Sequence, residues 1–488
     1  MRQFVANCYS FNQKPWVKVL SFLLLCRLIS MIFIPLNDTT EARYGEIARI
    51  MLETGNWVTP MQSYGEPFWA KPPLSMWLQA FSMKCFGVNA FAARLPALIL
   101  SWGVLMMVWH LALRQRGHSV AIFSVVVLAG SPFFFLNAGT VMTDPALLFC
   151  LTLSMASFWL CVVQGDRLWG YLFFVGLGLG LLAKGPLVGV LVFFPMLCWT
   201  IQQKAWGAVA HHLPWIRGTL LMACIALPWY ILAEVRTPGF LNYFLMGEHL
   251  ARFLEPSWQG DKYGFAHQAP LGMIWVFAML GVLPWIIYGV LGCLRYRVTR
   301  KQFHLNNDKG WITYLVCFTL FPLLFFTAAR NIIYPYTFPF LPTFALLFSE
   351  VLVSVFPKES SKSVYPVASL VGGFFIVATL LFVEKPEWVE KSQQRVIALW
   401  RAQGPSSKHD LMYWTPKLDY SARFYAQGHV KSTHDLIQLR SWLKIPTAQY
   451  LVVNERDLQE IPVDLKHELH RLESIHVSKQ TLTLFEVR

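Results

Sequence analysis

The residues most suited to chemistry lie directly after the first long apolar run. There Asp38, Glu41, Glu46 and Glu53 share one stretch with Arg43, Arg49 and Lys71, between segments that suit hydrocarbon. Charge gathered at the edge of a membrane span suits work on a charged, lipid-borne substrate. A carboxylate there can take a proton from an attacking hydroxyl, and fixed cations can stabilise a departing phosphate. Arg43, Lys71, Lys184, Arg252 and Arg330 all fall at the expected external ends of spans or in external loops. Lys184 stands between two apolar runs and before Gly185-Pro186, where a lysine is costly unless it snorkels. Asp144 follows Thr143 and precedes Pro145, a pattern that also caps a helix. Glu248-His249 pairs two ligands that a divalent metal accepts. Arg27 falls inside the first span and is expected to snorkel or pair.

Positioning these groups is the work of a membrane bundle. Of 488 residues, 55% are hydrophobic and 14% charged. About eleven apolar runs are long enough to cross hydrocarbon, near 16–35, 92–113, 119–137, 144–163, 168–183, 185–201, 217–234, 270–294, 311–328, 332–353 and 364–383. The net charge of +14 is read as orientation, with no nucleic-acid partner. Its basic residues collect in alternate loops: Arg2, Lys14 and Lys18, then Arg114 and Arg116, Arg167, Lys204, Arg295 to Lys301, and Lys358 with Lys362. Those loops are expected in the cytoplasm, which puts the loop after the first span, the 235–269 loop and the C-terminus outside. The first run lacks a small-residue cleavage site and reads as an uncleaved span.

Most of the nine cysteines lie in predicted spans and none follows Cys317, so the external domain is expected to hold no disulfide; Cys8 and Cys85 lie outside the spans or at their edge. The expected division is 1–383 for the membrane domain, with an amphipathic first external loop at 36–90, and 384–488 for a soluble α/β domain. In the loop, Ala42, Ile47, Ala48, Met51 and Leu52 share one helical face, which predicts an interfacial helix begun by a capping box at Thr39 or Thr40. In the soluble domain, 450–453 and 482–487 read as strands and 433–443 and 464–473 as helices. The external aromatics Trp57, Tyr64, Phe68, Trp69, Tyr243, Trp258 and Tyr263 read as interface anchors.

These residues carry a resemblance. The stretch Glu41-Ala42-Arg43-Tyr44-Gly45-Glu46-Ile47-Ala48-Arg49, the turn Lys71-Pro72-Pro73, then Thr143-Asp144-Pro145, Ala183-Lys184-Gly185, Gly247-Glu248-His249, Leu283-Pro284-Trp285 and Tyr334-Pro335-Tyr336 follow one another in the order and placement of a GT-C glycosyltransferase. The chain resembles the aminoarabinose-transferase and protein-O-mannosyltransferase type over nearly its whole length. The resemblance implies an all-α polytopic bundle of about 11–13 transmembrane helices with a small C-terminal α/β periplasmic domain, in the bacterial inner membrane. It implies transfer of a sugar from a polyprenyl-phosphate donor to a lipid, glycan or protein acceptor, with membrane lipids as surroundings. Catalytic roles are thereby expected for Glu41 or Asp38 and for Asp144. Donor or substrate binding is expected for Arg43, Tyr44, Glu46, Lys71, Lys184, Arg252 and Arg330, and a divalent metal for Glu248 and His249. Two positions depart from the family pattern: Thr40 stands where an Asp usually precedes the Glu, and Ala70 where many relatives have a Glu, with Glu66 as its nearest substitute. The alternative class is a transporter or flippase for a lipid-linked saccharide, which would show charged or broken-helix features near the midplane and related halves.

Overall fold

A computed structural model describes residues 14–256, 258–264, 267–296, 305–355, 363–388, 391–404, 411–445, 450–478 and 480–487. The expected basic positions Arg2, Arg297, Arg300, Lys301, Lys358 and Lys362, with Cys8, lie outside the described residues. The long helices are α1 (Pro15–Phe33), α2 (Thr40–Thr54), α3 (Leu74–Phe86), α4 (Ala90–Arg116), α5 (His118–Ala129), α6 (Pro132–Asn137), α7 (Asp144–Val162), α8 (Arg167–Lys184), α9 (Leu187–Gln203), α10 (Trp215–Arg236), α11 (Met273–Gly281), α12 (Leu283–Tyr296), α13 (Trp311–Thr327), α14 (Leu341–Val355) and α15 (Val364–Glu384). Among the described residues, eight helices are long and apolar enough to span a membrane. The apolar pair α11 and α12 is bent by 79° and makes a ninth if counted as one span, and α5 and α9 are shorter apolar helices. These segments coincide with the eleven apolar runs. The chain is a multi-pass membrane protein.

Helix direction gathers the expected chemistry at one end. Arg114 and Arg116 end α4, Arg167 opens α8 and Lys204 follows α9. Asp144 opens α7 and Lys184 closes α8, so both fall at the opposite end. Pro145 occupies the first turn of α7, where its missing N–H costs nothing. Gly185, at φ 77°, turns the chain from α8 into α9. A Cβ there would stand 2.6 Å from the Phe244 ring, so only glycine lets the external loop close over Lys184.

The first external loop differs from an interfacial amphipathic helix. Ala42 and every residue from Tyr44 to Met51 are buried, because α2 lies between α3 and the soluble domain. No side-chain cap begins it: Thr39 and Thr40 make none, and Glu41 turns away to Arg94. Arg94, inside α4, donates to the carbonyls of Met31, Ile34 and Pro35 at the end of α1 and to both oxygens of Glu41, at 3.3 and 2.7 Å. Glu41 also accepts the Val141 N–H at 3.1 Å.

The 36–90 loop holds a short antiparallel pair, β1 (Met61–Ser63) and β2 (Glu66–Pro67), and the soluble domain carries a five-stranded mixed sheet in the order β4-β3-β5-β7-β6. Its strands are β3 (Leu411–Trp414), β4 (Lys431–Thr433), β5 (Tyr450–Asn454), β6 (Leu469–Val477) and β7 (Gln480–Val487). Helices α16 (Gln394–Ala402), α17 (Tyr420–Tyr425) and α18 (Leu436–Leu443) cover it. The helix expected over 464–473 is cut to Val463–Lys466, and the rest forms β6, since pairing with β7 outweighs the local preference.

Arg94→Gln would leave Glu41 buried without its cation and three carbonyls without a donor. A cost of about 3–5 kcal/mol is expected, read as a lowered thermal unfolding midpoint in detergent. An unchanged midpoint would show that this pair does not hold the loop.

Candidate active site

Two cavities meet between the 36–90 loop and the 235–269 loop. One is polar, about 190 Å³, and is lined by Arg43, Tyr44, Asp144, Asp261, His267 and Tyr263, with Lys417 and Tyr420 of the soluble domain. The other is a wider apolar groove of about 570 Å³ along Val190, Leu245, Met246, Leu250, Phe253 and Phe326. Lys71, Lys184, Arg252 and Tyr336 line both. The junction therefore has a charged side and a hydrocarbon side.

Each cation at this junction is held by a carboxylate. Lys184 Nζ stands 2.6 Å from Asp144 and 5.2 Å above the Tyr336 ring. Lys71 Nζ is 2.8 Å from Glu248 and donates to the Ala70 carbonyl. Arg252 Nη1 is 3.0 Å from Glu248 and 3.4 Å from Asp261. Burial raises the pKa of Glu248, but Lys71, Arg252 and the Tyr243 hydroxyl lower it further, and it stays below the usual carboxylate range. Burial likewise lowers the pKa of Arg252, but Glu248, Tyr336 and Asp261 raise it above the ordinary arginine value.

Five of the seven aromatic residues expected as interface anchors, Phe68, Trp69, Tyr243, Trp258 and Tyr263, form the frame instead. Phe68 meets Tyr263 with ring centres 4.8 Å apart, and Tyr243 meets Tyr263, Trp69 and Trp258 at 5.8, 6.0 and 6.0 Å. The Tyr263 hydroxyl donates to the Pro67 carbonyl and accepts the Trp69 N–H, fixing the strand-like run before Lys71. Arg43 lies over the Tyr44 and Phe68 rings, 5.6 Å from each centre, and donates to the Tyr263 carbonyl. Glu248 and His249 fall within the wider π-helical turns Tyr243–Ala251, an irregularity common at functional sites.

Arg43, Tyr44, Lys71, Asp144, Lys184 and Arg252 thus converge as expected, and Glu248 and His249 line the groove beside them. Four expected residues go elsewhere. Glu41 is committed to Arg94, which outweighs burial and keeps its pKa below the usual range. Glu46 is buried against Arg49, at 2.6 and 2.8 Å, beneath Tyr64. Arg330 is exposed and lines neither cavity; its main-chain N–H reaches the Phe253 carbonyl. Asp38 faces the soluble domain, accepting the Ser421 N–H at 3.1 Å and the Ser421 hydroxyl. Missed by sequence reasoning were Arg94, Asp261, Tyr336, Lys417 and Tyr420. Only Asp261, an acid among external aromatics, and Tyr336, within the Tyr334-Pro335-Tyr336 motif, carried a local signal.

A divalent metal does not suit Glu248 and His249. The carboxylate faces two cations, and both ring nitrogens of His249 face carbonyls, Phe244 at 2.8 Å and Lys184 at 3.1 Å. Among the described residues, no three His, Cys, Asp or Glu side chains gather as a metal set. Glu66 does not replace the missing acid at Ala70: it is exposed and bonds Gln62 and Ser63.

Comparison with known proteins gives this helical bundle, with its cations gathered beside an apolar groove, a GT-C architecture. The model of the dolichyl-phosphate-mannose-protein mannosyltransferase family matches residues 17–244. The undecaprenyl phosphate-alpha-4-amino-4-deoxy-L-arabinose arabinosyl transferase of Enterobacter sp. (strain 638) is 29% identical over 343 residues, covering 69% of this chain and 59% of that protein. Its counterpart numbered 2 in Sodalis glossinidius is 30% identical over 380 residues, covering 76% and 66%. The crystal structure of ArnT from Cupriavidus metallidurans bound to undecaprenyl phosphate shares the fold, with a TM-score of 0.75 at 18% identity over 96% of this chain and 97% of that one. The chain spans about three fifths of the length of the curated relatives it matches. It belongs with the GT-C aminoarabinose-transferase-like proteins.

The Asp38 contact gives a pH prediction. Burial, and then the neighbouring Asp419, push the Asp38 carboxyl up to about 7, against a lowering by Ser421. A raised pKa means that the docked form holds the proton more tightly than the separated form. Docking is thus favoured at low pH and weakens as pH rises through about 7. Hydrogen exchange in Tyr420–Tyr425, corrected for intrinsic rate, should rise between pH 6 and about 8, and Asp38→Asn should remove most of that rise. A flat profile in the unaltered protein would overturn this.

Proposed function

We propose that the chain moves a sugar from a polyprenyl-phosphate donor to a lipid, glycan or protein acceptor at the external face of the bacterial inner membrane. The carrying observation is the junction of Lys71, Lys184 and Arg252, where a polar cavity opens into an apolar groove. A polyprenyl phosphate has that same division. Its chain fits the groove, its phosphate the three cations, and its sugar the polar cavity. The alternate basic loops support an orientation with the junction and the soluble domain on the periplasmic side.

In the transfer, the bond from the anomeric carbon to the phosphate oxygen breaks while the acceptor oxygen bonds to that carbon. Negative charge grows on the departing polyprenyl phosphate, where Lys71, Lys184 and Arg252 are already aimed. A hydroxyl acceptor must also lose its proton. Asp261 suits that role: Oδ1 accepts the Tyr263 N–H, while buried Oδ2 has no hydrogen-bond donor among the described residues and stands 3.4 Å from Arg252. A phosphate acceptor needs no base, and Asp144 or Asp261 would then hold an amino group on the donor sugar. The relatives are named for a 4-amino-4-deoxy-L-arabinose donor, and an amino pentose suits a cavity with these two carboxylates. The transporter reading has less support, since the cations gather at one end of the bundle.

Lys71→Ala, Lys184→Ala and Arg252→Ala should each slow transfer at least roughly tenfold, the scale on which removing one charge-assisted hydrogen bond destabilises a transition state. Arg330→Ala should leave it unchanged. Transfer from labelled undecaprenyl-phosphate aminoarabinose into envelope extracts checks this. Full activity in folded Lys71→Ala and Arg252→Ala would remove the junction from the reaction.

A further inference from the structure

A second buried cation lies apart from the polar cavity. Arg27 sits six residues before the end of α1, about 9 Å below it at the helical rise. Only 7% of it is exposed. Its guanidinium donates to the Ser30 hydroxyl at 3.1 Å and the Leu136 carbonyl at 2.7 Å, while Nε has no partner. Gly139 packs directly on the guanidinium, where a Cβ would stand 2.4 Å from Nε. Among the described residues, Arg27 makes no ion pair. The nearby Glu41 is already taken by Arg94, so two arginines face one carboxylate and one positive charge is left over. An unbalanced charge at membrane depth is costly unless an anion or water reaches it.

Arg27 lines a cleft of about 50 Å³ between α1, α4 and α6, otherwise walled mainly by Leu20, Leu24, Leu98, Leu105 and Trp102. One water needs only about 10–15 Å³. Trp102 is 44% exposed, so the cleft opens towards lipid. Ser101 also lines it, and its buried hydroxyl has no partner among the described residues. Serines within helices commonly bond the carbonyl four residues earlier, as Ser349 and Ser369 do here. The cleft thus offers an uncompensated cation and a free hydroxyl above an aliphatic wall.

We propose that this cleft binds an anionic phospholipid from the leaflet nearest the polar cavity, its phosphodiester meeting Arg27 and an acyl chain lying along Leu20, Leu24, Leu98 and Leu105. A phosphodiester supplies the missing negative charge, which water does not, and its oxygens accept from Ser101. The bound lipid would join α1, α4 and α6 directly below the Glu41–Arg94 pair.

The test uses the full chain in nanodiscs of phosphatidylcholine with and without phosphatidylglycerol. Native mass spectrometry should find one phosphatidylglycerol retained after other lipids are stripped, and thermal melting should rise with phosphatidylglycerol. Arg27→Gln should weaken that retention at least tenfold. Leu98→Trp, which fills the mouth of the cleft and leaves Arg27 in place, should do the same and covers the case in which Arg27→Gln fails to fold. Lys18→Gln, an exposed cation at the other end of α1, should change nothing. Three results would each overturn the proposal: no preference for phosphatidylglycerol in the unaltered protein, retention unchanged in Leu98→Trp, or an equal rise in melting with inorganic phosphate alone.

Discussion

The structure depends on keeping positive charge fixed at the edge of hydrocarbon. A lysine or arginine left alone there loses its hydration, and its side chain turns towards water. At the junction each cation instead has a buried carboxylate: Lys184 has Asp144, Lys71 has Glu248, and Arg252 has Glu248 and Asp261. The three cations and three carboxylates balance, so the site can be built without a ligand. Arg43 and Lys417 then leave the surrounding polar cavity positive, since among the described residues neither is held by a carboxylate there. In the proposed reaction, a phosphate that enters finds donors already held in place, the arrangement by which preorganised charge lowers a barrier.

The same need explains why the first external loop is not a free amphipathic helix. Residues two apart on a helix point about 200° from each other. Arg43 and Glu41 therefore cannot both face the cavity. Arg43 takes the cavity side, and Glu41 turns to α4, where Arg94 needs a counterion and three carbonyls at the end of α1 need a donor. Glu46 and Arg49, three apart, share a face and pair with each other. Sequence spacing contains this geometry, but the motif as a whole suggests one shared role for residues that point in different directions.

Much of the membrane fold was legible because hydrocarbon thickness sets a length that apolar runs must meet. Lys71, Asp144, Lys184 and Arg252 were legible too, being charges beside spans where charge is expensive. What escaped depends on contacts distant in the chain. Arg94 sits inside an apolar helix, and its partners lie 53 to 63 residues away. Lys417 and Tyr420 reach the cavity only because the soluble domain docks on α2, and nothing in their own surroundings marks them. In the soluble domain, 467–473 lacks a strong period of either kind, and its strand exists because β7 offers an unpaired edge.

The placement of Asp38 joins these observations. As the acid nearest the departed motif position it competed with Glu41 for a catalytic role, yet its oxygens meet the start of α17. Around it, the Leu36 N–H donates to Tyr425, Asn37 accepts from the Lys391 N–H, and Phe424 packs against Gly45. These contacts fix Tyr420, the neighbour of Ser421, as part of the cavity wall. The boundary of the site therefore crosses the boundary between domains. A small α/β unit with no glycine-rich phosphate loop still takes part in the site, because the bundle alone leaves the polar cavity without its outer side.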